Sequence, residues 1–568
     1  MSQRIPTFIL CTVATAAFSQ QQPQTGQWEI VPAKSNTIQR GDQEILTFET
    51  AETLDRLEDL YRRSQSSKPD AATLSAQYFR SPMDGSIQPY GLWLPKDFDT
   101  YKAYPLVVQL HGLNFRKVLA GLRTEYRGMG TLQWIDPNQP VIIAQCFGRQ
   151  STFYSGMGEQ DILATIAEVS RRFKVMEDHV YIMGHSMGGA GAYTIGLHHP
   201  DRFGGITPID AAMGRNIAPP GDIPAWMKPQ IVMYNPYLLY PNARNVDVFM
   251  KNAGAGIQRA STEYTDGIVA AGGFSTSESF PNMPHNFGQQ YPYAMFESQL
   301  IAHPMKRDPA EVKFFTNTLQ YNQAYWVTID RLTRHGEESL VTAKKETSVD
   351  VTTKNIDAFS LRLGPDAGGV KIDGQDVANP ASGHFEKREA KWRAVEKAAV
   401  AGKRHGMQGP IGDAFNSRFL AVYGEGDRDL AIAELDALRN PPGRMIIHGD
   451  FPMKAAAKVN SGDAAESNLI LFGTPASNPL LKRIAGRLPA ELLNGNSVFI
   501  YPNPENPRRY VVVWSAKVLS SNSSLLRAGY VMPINLLPDY VQVEDGNIVA
   551  GGHFDNDWKK QAANFTQR

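Results

Sequence analysis

Apolar and polar positions alternate in two textures along this chain. From about residue 75, continuous apolar runs of strand length recur: "YGLWLP", "YPLVVQLHG", "VIIAQCFG" and "VYIMG". A strand covered on both faces reads this way, because neither side of its pleat meets water. Between them, "QDILATIAEVSRRF" repeats apolar positions every three to four residues, as a helix packed on one face requires. A further helix follows Ser186, and "GGITPID" and "VDVFMK" read as two more strands. Strand alternating with helix predicts a parallel sheet with helices on both faces over residues 75–310. Ahead of it, residues 20–74 form an N-terminal extension in which 43–65 read as one amphipathic helix.

Near residue 311 the texture changes. "VKFFTNTLQYNQAYWVTIDRL", "SLVTAKKETSVDVTTKN" and "FSLRLG" are short strands with turn signals, which predicts a small all-β module over 311–378. The charged run "GHFEKREAKWRAVEKAAVAGKR" predicts a linker helix within 379–410. Apolar runs then resume in "RFLAVYG", "RMIIHGD", "NLILFG", "SVFIYP" and "RYVVVWS". These predict a second, smaller α/β domain over 411–545, followed by a C-terminal tail, 546–568.

Composition changes this picture little. A length of 568 residues leaves room for several domains, and 42% hydrophobic with 20% charged residues suits a globular chain with a large core. Basic and acidic residues balance at 57 each, so nothing points to nucleic acid or an anionic membrane as partner. The start, "MSQRIPTFILCTVATAAFSQQ", has a basic residue, a short apolar run and small residues before Gln20. It reads as a signal peptide, residues 1–19, and predicts a secreted or periplasmic protein. The apolar run is too short to span a membrane. Cys11 belongs to that segment, so the mature chain keeps Cys146 alone and has no intramolecular disulfide framework. No Cys/His cluster and no H-E-x-x-H motif occurs, which predicts no metal and no cofactor.

The candidate chemistry centres on "VYIMGHSMGGAGAY", Val180 to Tyr193. A serine between glycines at a strand-to-helix turn is the pattern of a nucleophile elbow. The turn is strained, and glycine leaves room for the neighbouring backbone. Active groups of such sheets gather at the carboxyl ends of strands, where Ser186 stands. A serine nucleophile needs a base and oxyanion donors. Of 12 histidines, His111, His179 and His185 precede Ser186, and His198 and His199 end the following helix. Within 75–310 that leaves His285, in the loop "FPNMPHNFG", and His303 in "QLIAHPMK"; the loop position favours His285. The oxyanion donors expected are the N–H groups of Met187 and of Leu113, the latter after the strand ending in "LHG".

"YPLVVQLHG", "GRQSTFYSGMGEQDIL" and "DHVYIMGHSMGGAGAYTIGLHHPDRFGGI" resemble secreted α/β-hydrolases of the prolyl-oligopeptidase type, with their polyhydroxybutyrate-depolymerase-like and feruloyl-esterase-like relatives. The resemblance covers roughly residues 75–310. It implies an α/β-hydrolase domain with a parallel central sheet, Ser186 as nucleophile, His285 as base, and Leu113 and Met187 as oxyanion donors. One departure concerns the acid. Relatives carry it in a turn after the next-to-last strand, but "VDVFMKNAGAGIQ" has no carboxylate near Gly254 to Gly256. Asp210, closing "GGITPID" one strand earlier, is favoured; Asp247 lies at the wrong end of its strand, and Asp266 in "EYTDG" reads as a turn residue.

The substrate pocket is expected to use Arg149, Tyr154 and Tyr237. Glu159 lies in the same loop as Arg149 and Tyr154. Tyr237 belongs to an aromatic insertion, with Trp226, Tyr234, Tyr240 and Phe249, that could act as a lid. In the second α/β domain, "GEGDRD" reads as an ordinary turn and His448-Gly449-Asp450 as a mimic of an acid turn; the domain reads as a structural or carbohydrate-facing accessory. These features predict an exported serine hydrolase of carboxylic esters, small or polysaccharide-linked. A serine peptidase of the same fold is one alternative, although about 75 residues ahead of residue 75 are too few for a β-propeller. A non-catalytic binding protein on a hydrolase scaffold is the other.

Overall fold

The computed structural model describes residues 35–113, 121–128, 139–211, 223–253, 255–280, 282–285, 301–364, 368–378, 382–398, 401–442, 445–521, 525, 531–561 and 565–566. The expected leader, 1–19, lies outside them. The chain opens with a hairpin of β1 (Asn36–Arg40) and β2 (Gln43–Thr47), then α1 (Ala51–Ser66). Strands β3 (Ser75–Arg80), β4 (Ile87–Trp93), β5 (Tyr104–Leu110) and β6 (Ile142–Cys146) follow. Next come α2 (Met157–Arg172), β7 (Val175–His185), α3 (Met187–His198) and β8 (Gly205–Ile209). After an insertion come β9 (Asp247–Ala253), α4 (Ala255–Ala270) and β10 (Ser275–Phe280).

Strands β3 to β10 form one eight-stranded sheet in the order β10-β9-β8-β7-β5-β6-β4-β3. The run from β6 to β10 is parallel, and β3 and β4 complete it antiparallel. This is an α/β-hydrolase fold. The continuous apolar runs are explained by burial on both faces. In β7, Val180 and Ile182 join the core cluster on one side while Tyr181 and Met183 join the cluster on the other. Each fully buried aliphatic side chain of this kind contributes about 1.5–3 kcal/mol.

Residues 311–395 form two further five-stranded sheets, so the β module is longer than the sequence suggests. The linker helix expected within 379–410 is instead an antiparallel hairpin, His384–Arg388 with Lys391–Val395. Phe385 and Trp392 alternate into the core, and Glu389 and Ala390 take φ 51° and 62° in the turn. Two residues with positive φ match the twist of a two-residue hairpin.

The second α/β region is a ten-stranded sheet. Its parallel part holds Phe451–Ala455, Phe419–Tyr423, Asn468–Phe472 and Asn506–Trp514, in that order. β2 adds to the edge of this parallel part by pairing antiparallel with Phe451–Ala455, Leu46 opposite Phe451 and Glu44 opposite Met453. The expected extension and tail therefore correct to parts of this sheet: the β1–β2 hairpin at one edge, Asn547–Gly552 and Phe565–Thr566 at the other. The helix expected over 43–65 starts only at Ala51, where the Thr50 side chain caps the Thr53 N–H. Among the described residues, no helix is long and apolar enough to cross a membrane.

Candidate active site

The turn from β7 to α3 is built on glycine. A Cβ on Gly184 would lie 2.8 Å from Leu110 Cβ, and one on Gly188 would lie 2.7 Å from His111 O and overlap Leu110 O. The close approach lets α3 begin directly against the end of β5. Ser186 sits in the turn at φ 56° and ψ −114°, a conformation that costs a serine about 1–3 kcal/mol. Its N–H is bonded to Ile209 O at 2.9 Å, which ties the turn to β8.

Three side chains converge at this sheet edge. Ser186 Oγ lies 2.9 Å from His285 Nε2. His285 Nδ1 is hydrogen-bonded to Asp210 Oδ2. Asp210 is fully buried, while the His285 side chain is 55% exposed, so the acid is shielded and the base faces outward. Asp210 directly follows β8 with φ 43°, and its Oδ1 accepts the Ala253 N–H at 2.9 Å. His185, between Gly184 and Ser186, reaches the same loop: its Nε2 donates to His285 O at 2.6 Å, and the two rings lie 4.7 Å apart. Burial, with the charge of His285 beside it, lowers the His185 pKa below the usual histidine range. Sequence reasoning passed over His185, since the middle position of the elbow carries no spacing signal.

The His111–Leu113 segment runs alongside. A Cβ on Gly112 would lie 3.4 Å from His185 Nδ1 and 3.7 Å from Ser186 Cβ, which places this backbone next to the serine. His111 Nε2 meets Phe147 O at 3.0 Å, its Nδ1 meets Gly112 O at 2.7 Å, and the Tyr154 hydroxyl donates to His111 O at 3.0 Å. Burial lowers the His111 pKa. Met187 opens α3, so its N–H has no acceptor within the helix.

Other expected site residues lie elsewhere. Arg149 and Tyr154 are fully buried, Arg149 in an ion-pair cluster and Tyr154 against the main chain beside the serine. Arg149 forks onto Asp84 at 2.8 and 3.0 Å and meets Asp161 Oδ2 at 2.8 Å. Burial pushes Asp161 up to about 6, whereas Arg149 outweighs burial at Asp84 and holds it below the usual range. Glu159 is also buried, bonded to His198, His199 and the Tyr321 hydroxyl. These partners come from distant chain segments, which no local pattern reveals. In the aromatic insertion Trp226, Tyr234 and Phe249 are buried in the core rather than forming a lid, and Trp226 packs on Gly551. Tyr237 lies in the short helix Pro236–Leu239, and its side chain is outside the described residues.

His303 pairs with Asp247 at 2.8 Å at the amino end of β9, away from Ser186. Asp266 is inside α4, not in a turn. In the second α/β region, Asp450 of the His448-Gly449-Asp450 stretch grips Arg123 at 2.7 and 2.9 Å. A groove of about 950 Å³ lined by Arg172, Phe173, Val175, Arg202 and Met305 opens at the start of β7, the end opposite Ser186. Ligand atoms of His185, Asp210 and His285 lie within 4.8 Å of one another, but the hydrogen bonds given above engage them with one another and with Ser186.

No family model matches the chain, and no curated protein matches it. Solved structures resemble it over part of its length. An S-formylglutathione hydrolase from Staphylococcus aureus is 18% identical over 38% of this chain and 94% of its own, with a TM-score of 0.31. A ferulic acid esterase from Anaeromyces mucronatus, solved with ferulic acid, is 15% identical over 39% of this chain and 92% of its own, at 0.27. An S-formylglutathione hydrolase from Agrobacterium tumefaciens is 12% identical over 47% of this chain and 98% of its own, at 0.30.

Proposed function

We propose that this chain is a serine hydrolase that cleaves carboxylic esters through an acyl-enzyme on Ser186. The observation that carries the reading is the line of contacts from Ser186 Oγ to His285 Nε2, 2.9 Å apart, and from His285 Nδ1 to Asp210. Ser186 Oγ attacks the acyl carbon while His285 Nε2 takes its proton. Asp210 holds the imidazole in the tautomer that can accept it and offsets the imidazolium charge. The carbonyl electron pair moves onto oxygen, where the Met187 and Leu113 N–H groups receive it. One such donor is worth about 10²–10³ in kcat. Collapse of the tetrahedral intermediate expels the alcohol, which leaves with the proton from His285. Water, deprotonated by the same base, then releases the acid and frees Ser186.

The half-exposed His285 side chain beside Ser186 suits small or polymer-linked esters alike. The leader expected at 1–19 extends the proposal to action outside the cytoplasm, which fractionation of a producing cell tests. A screen of p-nitrophenyl acetate, longer acyl esters, feruloyl esters and acetyl-xylan with the purified chain tests the activity. Ser186-dependent turnover of at least one ester is expected. Turnover of proline-containing peptides alone, or ester turnover that survives Ser186→Ala, overturns the reading.

A further inference from the structure

The loop of residues 147–156 is held in an improbable shape from a remote part of the chain. Arg149, Gln150, Phe153 and Tyr154 all have positive φ, from 49° to 79°. Non-glycine residues stay in that region only where their surroundings over-determine it. Part of those surroundings comes from the second α/β region. Gln150 and Ser151 pair antiparallel with Ile447 and Ile446, and His448 donates its N–H to Arg149 O at 3.2 Å. The His448 ring packs edge-on to Phe147, with centroids 5.7 Å apart. Asn535 Nδ2 donates to Ser155 Oγ at 3.1 Å, and a Cβ on Gly156 would lie 2.7 Å from the Asn535 amide.

The other side of this loop faces the site. Phe147 O accepts from His111, and the Tyr154 hydroxyl donates to His111 O, so both the ring and the main chain of His111 are held by it. The Tyr154 ring also lies on α3, where a Cβ on Gly191 would sit 2.7 Å from its Cγ. One side chain therefore bridges the helix that follows Ser186 and the segment that carries Leu113.

We propose that the second α/β region is a working part of the ester-cleaving site: through Ile446–His448 and Asn535 it braces the 147–156 loop, and Tyr154 of that loop is a positioning residue that sets the His111–Leu113 backbone as an oxyanion donor. The proposal rests on the serine-hydrolase reading above. It assigns the remote region a part in catalysis that needs no ligand of its own. It also explains why buried Tyr154 is a tyrosine and not a phenylalanine, since its one polar atom is spent on the main chain beside the serine.

Three variants of the full chain test it. Tyr154→Phe removes only the hydroxyl; kcat on p-nitrophenyl acetate should fall about tenfold or more with KM within about twofold, because an oxyanion donor acts in the transition state. Hydrogen exchange should quicken over 110–113 and stay unchanged in β7. Asn535→Ala should quicken exchange over 147–156 and lower kcat in the same direction. Arg483→Ala, which breaks an exposed ion pair with Glu505 in the same region, should change neither. Unchanged kcat or unchanged exchange at 110–113 in a folded Tyr154→Phe protein overturns the proposal. If the unaltered chain shows no Ser186-dependent turnover, the hydrolase reading itself fails. Exchange at 110–113 then decides by itself whether Tyr154 holds that segment.

Discussion

Ala253 donates its backbone N–H to Asp210 Oδ1 at 2.9 Å. The stretch that lacks a carboxylate of its own, at the end of β9, thus supplies the main-chain donor that holds a carboxylate from the neighbouring strand. Lys251 O completes the tie by accepting the Asp210 N–H at 2.6 Å. A fully buried carboxylate needs such partners, since an unpaired one would be costly to desolvate. Only a backbone N–H is required at residue 253, so alanine and glycine suffice there.

Asp210→Asn should leave the fold intact and cut kcat by about 10²–10⁴, as expected when the favoured imidazole tautomer is lost. The amide oxygen can still accept from Ala253, and its NH₂ then opposes His285 Nδ1. Steady-state kinetics on p-nitrophenyl acetate with a melting curve check both halves. A rate within threefold of the unaltered chain would remove Asp210 from the mechanism.

Ser186→Ala and His285→Ala should each lower kcat by several orders of magnitude, and the double variant should be little worse than either. Nucleophile and base act as one unit, so their losses do not add. Additive losses, or an active His285→Ala beside an inactive His303→Ala, would move the base elsewhere.

How far the sequence is legible depends on how local the determinant is. The apolar run into Gly184-His185-Ser186 and the glycines after it are local, and they give both the strand end and the turn. The choice among Asp210, Asp247 and Asp266 needs strand direction: Asp210 follows β8, Asp247 begins β9, and Asp266 lies on α4. The hairpin at 384–395 is hidden because its turn, Glu389-Ala390, lacks the glycine or asparagine that marks two positive φ angles. The β2 pairing with Phe451–Ala455 joins residues about 400 apart, beyond any local pattern. The partners of Arg149 and Glu159, Asp84 and Asp161 for the one and His198, His199 and Tyr321 for the other, are nearer in sequence but follow no local spacing rule either.

Gly188→Ala should abolish activity and lower folding stability by about 1–3 kcal/mol, the usual range for overpacking. The added methyl would meet Leu110 O and His111 O, which are backbone atoms and cannot swing aside. Denaturant unfolding and ester turnover measure the two effects. A stable, fully active variant would show that α3 does not pack as closely on β5 as the contacts require.

Glu159 gives a prediction about acid stability. Burial by itself would raise its pKa, but the charges and hydrogen bonds of His198 and His199 outweigh burial and hold it well below the usual value of 4.5. The folded state therefore keeps the carboxylate ionised in a range where the unfolded chain binds a proton. Below about pH 4.5 the unfolded state carries more protons at this group, so stability rises with pH there. The contribution is complete above that pH and is lost as pH falls toward the folded-state pKa. Glu159→Gln removes the titrating group, so its unfolding free energy should change less steeply below pH 4.5 than that of the unaltered chain. At neutral pH the same variant should be destabilised by about 1–3 kcal/mol, the cost of leaving buried hydrogen-bonding groups without their matched partner. Tyr321 donates to Glu159 Oε2 at 2.7 Å from the β module, so the loss also loosens a contact between the module and the hydrolase sheet's helices. Urea unfolding of both proteins from pH 3 to pH 7 makes the comparison. Parallel curves across that range would show that Glu159 does not carry its charge against these two histidines.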